Sequence, residues 1–215
     1  MSRGKFVVIS GSDGAGKTTL IKEIKKLYPK LISVREPGGT EVSEAIRNEL
    51  LSEGAKDWHP MSQLLHFFAA RANLLEKVVK PALESGEDVI ADRFDESTYA
   101  YQVFAFESME LKEVFWSIRR QLIVARKLEP DVYIYIKVPV EVGMKRRALA
   151  GKGTMNHLDE RSKGFYERVG EGLDEFFFVV NHKVIDGNQS QEAVLSDVLK
   201  ILIPILGEPK YEPDQ

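Results

Sequence analysis

Phe6-Val7-Val8-Ile9-Ser10-Gly11-Ser12-Asp13-Gly14-Ala15-Gly16-Lys17-Thr18 holds a strand, a turn and the start of a helix. Phe6 to Ile9 is a short, continuously apolar run of the kind that a parallel sheet buries on both faces. Gly11 to Thr18 then matches G-x-x-x-x-G-K-S/T at every fixed position. The glycines allow successive backbone N–H groups to converge on phosphate oxygens where a side chain would block the approach. From Lys17 onward Leu20, Ile21, Ile24 and Leu27 recur at helical spacing until Pro29, so a helix dipole points back at the same spot. Gly11, Ser12, Asp13, Gly14, Ala15, Gly16, Lys17, Thr18 and Thr19 therefore read as a candidate cradle for the phosphates of a nucleotide. Lys17 suits the β/γ oxygens, and the Thr18 hydroxyl suits Mg²⁺.

The rest of the chain keeps the same rhythm. Strands are predicted at Leu31 to Val34, Asp88 to Asp92, Val132 to Val138 and Lys183 to Ile185. Between them fall helical patterns, one capped by Thr40 and running to about Leu51 and another from Pro60 to Val79, which Pro81 interrupts or ends. Further helices are predicted at Ser97 to Phe106, Met109 to Leu128, Pro139 to Leu149, Asp159 to Val180 and Gln191 to Ile205. Such alternation specifies an α/β architecture, here a P-loop NTPase fold with a five-stranded, mainly parallel sheet flanked by helices. Ligands of such sheets sit outside the carboxyl ends of the strands. Residues 1–207 read as one domain, and the proline-bearing tail 208–215 as loose.

Composition removes whole classes of function. The chain of 215 residues carries 30 Lys+Arg against 33 Asp+Glu. A net charge of −3 argues against a general nucleic-acid binder, which needs a basic excess to neutralise phosphates. The absence of cysteine removes disulfides, thiolate zinc sites and cysteine nucleophiles together. The four histidines (59, 66, 157 and 182) are scattered without metal-ligand spacing. No run approaches the ~18 apolar residues of a membrane span, and the apolar run at the N-terminus is too short for a signal peptide. A cytoplasmic protein without membrane or nucleic-acid partners is the expectation.

The cradle alone does not separate GTPases, motor ATPases and small-molecule kinases. No Asn is followed by Lys, so the guanine-reading N-K-x-D is missing. The short length, the basic segment near residue 150 and the arginines near strand ends suit a small kinase that closes over two phosphorylated substrates and keeps water out. Its lid is expected over about residues 143–160.

An ordered set of further motifs resembles the thymidylate kinase family, bacterial type. It comprises Asp13 to Thr19, Arg35-Glu36-Pro37-Gly38-Gly39-Thr40, Glu44-Ala45-Ile46-Arg47, Phe67-Phe68-Ala69-Ala70-Arg71, and Asp92-Arg93-Phe94 followed by Ser97-Thr98 and Ala100-Tyr101-Gln102. Pro130-Asp131, Phe165 to Val169 and Val184-Ile185-Asp186 continue it, so that it covers roughly residues 5 to 205. The resemblance implies that the cradle holds ATP and that the γ-phosphoryl of Mg·ATP passes to dTMP, in a homodimer packed through its long helices. It places Glu36 near the sugar and Arg47 on the phosphate of dTMP, where a planar guanidinium can bond two oxygens at once. Phe67 would stack on thymine, and Arg71, on the same helix face, would donate to a thymine carbonyl. Phe68 is assigned to the core. Ser97, Thr98 and Gln102 would line the base pocket, and Tyr101 would exclude a ribose 2′-hydroxyl. Arg93 would span donor and acceptor phosphates, and Asp13 would touch the sugar or phosphate-bound Mg²⁺. Lys17, Arg93, Asp13 and Arg147 make up the expected catalytic set, with Lys145, Arg146 and Lys152 as other candidates in the lid.

Three positions depart from the family pattern. Ser10 stands where glutamate is usual, Lys137 where aspartate is usual, and Asp159-Glu160-Arg161 replaces the usual Asp-Arg pair of the lid. They leave room for a kinase of dUMP or a modified pyrimidine. A nucleotide-binding switch without transfer is the alternative from another class, against which the missing N-K-x-D and the intact Arg93 region argue.

Overall fold

Five strands form one sheet in the order β2-β3-β1-β4-β5, every neighbouring pair parallel. They are β1 (Phe6–Ser10), β2 (Ile32–Arg35), β3 (Val89–Asp92), β4 (Val132–Lys137) and β5 (His182–Asp186). The computed structural model describes residues 2–149 and 162–209. β1 is central and buried along its whole length, as its unbroken apolar run requires. Its side chains alternate between two cores. Phe6 and Val8 pack with Phe94, Phe115 and Phe176 on one face, and Val7 and Ile9 with Ile24, Val198 and Leu202 on the other.

The first face is covered by α3 (Pro60–Leu74), α6 (Met109–Arg119) and α8 (Lys163–Phe177), the second by α1 (Lys17–Leu27) and α9 (Gln191–Leu206). The apolar spacings of the sequence account for these buried stripes. α2 (Glu41–Leu51) begins where expected, with the Thr40 hydroxyl accepting from Ser43 N at 3.1 Å. Phe68 lies in the core against Phe115, ring centres 5.4 Å apart.

One predicted boundary needs correction and another is decided. Of the two readings at Pro81 the structure takes interruption: a wide π turn over Leu75–Val79 joins α3 to α4 (Lys80–Ser85). That turn takes up the missing N–H and the ring of Pro81. The helix expected from Ser97 starts earlier, as α5 (Asp95–Thr98), and then loosens through a π turn at Tyr99–Val103 and a 3₁₀ turn at Phe104–Phe106. α7 (Val140–Leu149) occupies the first part of the expected lid. Residues 150–161, with Lys152 and Asp159-Glu160-Arg161, lie outside the described residues, as does the tail from 210.

From β1 the chain goes to one side for β2 and β3 and to the other for β4 and β5. The crevice that this reversal opens lies beyond the carboxyl ends of the strands. Among the described residues no helix is long and apolar enough to cross a membrane.

Candidate active site

β1 ends at Ser10, and the chain turns through Gly11 to Gly16 into α1. The turn is packed without spare room. A Cβ on Gly14 would lie 2.1 Å from the carbonyl oxygen of Gly143, and one on Gly143 would lie 2.6 Å from that of Asp13. The backbone of α7 therefore rests directly on the turn. This brings Arg146 and Arg147 to a cleft that also holds Asp13, Gly14, Ala15, Gly16, Thr18 and Thr19. Arg146 donates to the carbonyl of Gly187 at 2.8 Å.

Lys17 is buried and donates to Ser12 O at 2.9 Å. Burial and the nearby Arg93 charge press its pKa down to about 8. The Thr18 hydroxyl donates to Asp92 Oδ2 at 2.7 Å, joining the head of α1 to the end of β3. The Gly11 turn packs against β4 through Ile136 O.

Arg93 follows β3 with φ +70°, a left-handed conformation that bulky residues seldom adopt. The bend aims its guanidinium across the crevice. Nη1 donates to Gly11 O at 3.2 Å and to Ser97 Oγ at 3.0 Å, and Nη2 to Asp13 Oδ1 at 2.5 Å. The Tyr101 ring lies under it, 5.2 Å from the guanidinium carbon. Asp13 also accepts from Tyr101 OH at 3.1 Å and Arg147 Nη1 at 3.3 Å, and Arg147 reaches Tyr166 OH at 2.7 Å. Burial works against the Asp13 carboxylate, but Arg93, Lys17 and Arg147 together outweigh it and hold its pKa below the usual range.

A second cleft adjoins the first, and Asp13 and Arg47 line both. Its walls bring together Glu36, Arg47, Phe67, Arg71 and Arg93 with Ser97, Thr98, Tyr101 and Gln102. These nine come from α2, α3, the residues directly after β2 and β3, and the α5 segment with the turn that follows it. Arg71 is 1% exposed and hydrogen-bonded on two sides: Nε donates to Glu36 Oε2 at 2.7 Å, and Nη2 to Thr98 Oγ1 at 2.8 Å and Phe94 O at 3.1 Å. The rings of Phe68 and Phe94 each lie 5.2 Å from its guanidinium carbon. Burial lifts the Glu36 carboxyl to about 7 in spite of Arg71 beside it. Glu36 Oε1 and Arg71 Nη1 have no hydrogen-bond partner among the described residues, leaving the cleft wall with one open acceptor and one open donor. Arg47 donates to Pro37 O at 2.8 Å, and the Glu36–Pro37 peptide is cis.

Several features were not read from the sequence. The Thr18–Asp92 contact joins distant segments, and only Asp92's place at the end of an apolar strand hints at it. Gly143, an isolated glycine in a helical pattern, was the available sign that α7 approaches another backbone closely. Glu96, beside Ser97 and fully buried, was passed over. Lys137 lines neither cleft: it is exposed and pairs with Asp174 at 2.8 Å.

Comparison with known proteins agrees with this fold. The thymidylate kinase family model matches residues 9–198. A Bacillus licheniformis protein named thymidylate kinase is 36% identical, across 95% of this chain and 98% of its own. Another of that name from Mycoplasma capricolum is 35% identical, across 94% and 96%. A crystal structure of thymidylate kinase from Ehrlichia chaffeensis superposes with a TM-score of 0.69 at 27% identity, covering 93% of this chain and 99% of that one. With the family model spanning most of its length and relatives above 30% identity on nearly all of it, this chain belongs to the thymidylate kinase family.

Proposed function

We propose that this family member transfers the γ-phosphoryl group of ATP to dTMP, giving ADP and dTDP. The observation that carries the reading is the place of Arg93. Its guanidinium is bonded at once to the cradle, through Gly11 and Asp13, and to the helix lining the second cleft, through Ser97. A cation in that position can bridge two phosphates as charge moves from one to the other.

The cleft above Gly14 to Thr19 is the ATP side in this reading, with Arg146 and Arg147 on its wall and the buried Lys17 beneath the turn supplying positive charge. The other cleft takes dTMP, its base against Phe67 and Arg71 and its phosphate near Arg47 and Arg93. The phosphate of dTMP is already ionised at neutral pH, so it can attack the γ-phosphorus in line without a general base. Positioning and charge stabilisation supply the rate. Thr18 and Asp92 put a hydroxyl and a carboxylate 2.7 Å apart at the cradle, an all-oxygen pair that fits Mg²⁺ accompanying ATP. That ion would offset charge on the β and γ oxygens. A homodimer packed through α3 and α6 completes the reading, supported by a groove lined by Phe68, Ala72, Ile118 and Leu122 together with Gln121 and Arg126.

The test is ADP release from Mg·ATP with dTMP, dUMP, the ribose analogue of dTMP, dCMP and dGMP as separate acceptors. Turnover highest with dTMP supports the reading. Undiminished turnover after Lys17→Met, or release with none of the acceptors, overturns it.

A further inference from the structure

α5 opens with two adjacent carboxylates, Asp95 and Glu96, both 0% exposed. Asp95 is compensated: Arg119 Nε donates to it at 2.7 Å and Tyr133 OH at 2.5 Å. Glu96 has no ion pair among the described residues, and a buried carboxylate without one is costly. Burial and the adjacent Asp95 both push its pKa upward, against the Ser97 and Ser10 hydroxyls and the Arg93 charge. Glu96 Oε2 is buried with the Ser10 hydroxyl near it, close enough to favour the charged form but not placed for a well-formed hydrogen bond. Such a group is expensive to keep for packing alone.

Its other oxygen is fully engaged. Glu96 Oε1 accepts from Ser97 Oγ at 2.9 Å and from the Phe94 N–H at 3.3 Å. A serine hydroxyl has one proton. Spending it on Glu96 turns the lone pairs of Ser97 Oγ outward, where Arg93 Nη1 donates to them at 3.0 Å. The Phe94 amide directly follows the left-handed Arg93, so the same carboxylate oxygen also braces the turn that aims the guanidinium. Glu96 touches neither of the two clefts described above.

We propose that Glu96 is a positioning residue for phosphoryl transfer, acting through Ser97 and the Phe94 amide to fix the Arg93 guanidinium between the two clefts. This rests on the phosphotransferase reading above.

The test compares wild type with Glu96→Met, Glu96→Gln, Ser97→Ala and the Glu96→Met/Ser97→Ala double variant, in steady-state kinetics with ATP and dTMP and in thermal melts. Methionine fills the same space without an acceptor, and is expected to lower kcat about 10- to 100-fold with the KM for ATP within about twofold. Glutamine keeps Oε1 as an acceptor and is expected to bring kcat back to within about threefold of wild type. Because both changes cut one link, the double variant should be no slower than about twofold below the slower single variant. A folded Glu96→Met enzyme with wild-type kcat overturns the proposal, and so does a double variant whose losses multiply. Should Glu96→Met melt below the assay temperature, Ser97→Ala cuts the same link from the other side, and an unchanged kcat there overturns it equally. A wild-type protein without transfer to dTMP would instead remove the kinase reading, an outcome distinct from active variants in an active background.

Discussion

Lys17 shows what burial does to an ordinary side chain. Desolvation and the Arg93 charge bring its pKa down to about 8, so the ammonium predominates below that pH and the neutral amine above it. Phosphate oxygens bind the ammonium, and above pH 8 the amine must first take up a proton. ATP affinity is therefore expected to hold from pH 6 to 8 and then fall by up to about tenfold per pH unit. Calorimetry in buffers of different ionisation enthalpy checks this by the proton uptake it reveals at pH 8.5. A Lys17→Met protein should bind weakly without that proton-coupled component, and an equal fall there would assign the effect elsewhere. Arg93 makes the complementary case. Lysine in its place keeps the charge but cannot span Gly11 O, Ser97 Oγ and Asp13 Oδ1 as a planar fork does. Arg93→Lys is expected to lower kcat about 10²- to 10³-fold while leaving the ATP dissociation constant within about threefold. A large loss of ATP affinity with unchanged kcat would contradict a role at the transferred group.

At the scale of elements, the contact of α7 with the cradle predicts a directional effect. Alanine at Gly143 would set its Cβ 2.6 Å from the Asp13 carbonyl, a backbone atom that can yield only if the turn moves. Gly143→Ala should raise the KM for ATP and lower kcat, because the turn, Arg146 and Arg147 shift together. Gly170 in α8 is the control, since a Cβ there meets nothing within 4 Å. Gly170→Ala should stabilise the protein by roughly 0.5–1 kcal/mol, seen as a melting point a few degrees higher, with kinetics unchanged. A cradle indifferent to Gly143→Ala would mean that α7 gives way instead. The same elements show how far the sequence could be read. The apolar periodicity of α1 and α9, the run of β1 and the Thr40 cap were legible because each is encoded within a few neighbouring residues. The passage of a helix through Pro81 was not, because the wide turn at Leu75–Val79 that permits it leaves no mark in an apolar pattern. Nor was Glu96, which is buried in a segment that packs against the distant α8.

Across the whole molecule, the parallel sheet gathers residues from distant segments at the carboxyl ends of its strands, so that Arg47, Arg71 and Arg93, which the family resemblance assigns to substrate, line a common cleft. What pattern could not supply was pairing: Thr18 with Asp92 and Lys137 with Asp174 are meetings between segments far apart in sequence. The last such relation concerns α3, which faces two ways. Phe67 and Arg71 line the second cleft, while Leu65 is 47% exposed, and Phe68 and Ala72 edge the groove shared with Ile118, Gln121, Leu122 and Arg126 of the α6 segment and the turn after it. If a second copy covers that groove, dimerisation also steadies the helix carrying Phe67 and Arg71. Leu122→Arg would add a second guanidinium beside Arg126 and remove apolar contact area, and both changes oppose covering of the groove by a second copy. Sedimentation velocity should then show a dimer for wild type and a monomer for the variant at the same micromolar concentration. The KM for dTMP should rise more than that for ATP, because the cradle draws nothing from α3. A monomeric wild type would remove the dimer from the reading. A monomeric variant with an unchanged KM for dTMP would keep the dimer and show that α3 holds its cleft residues unaided.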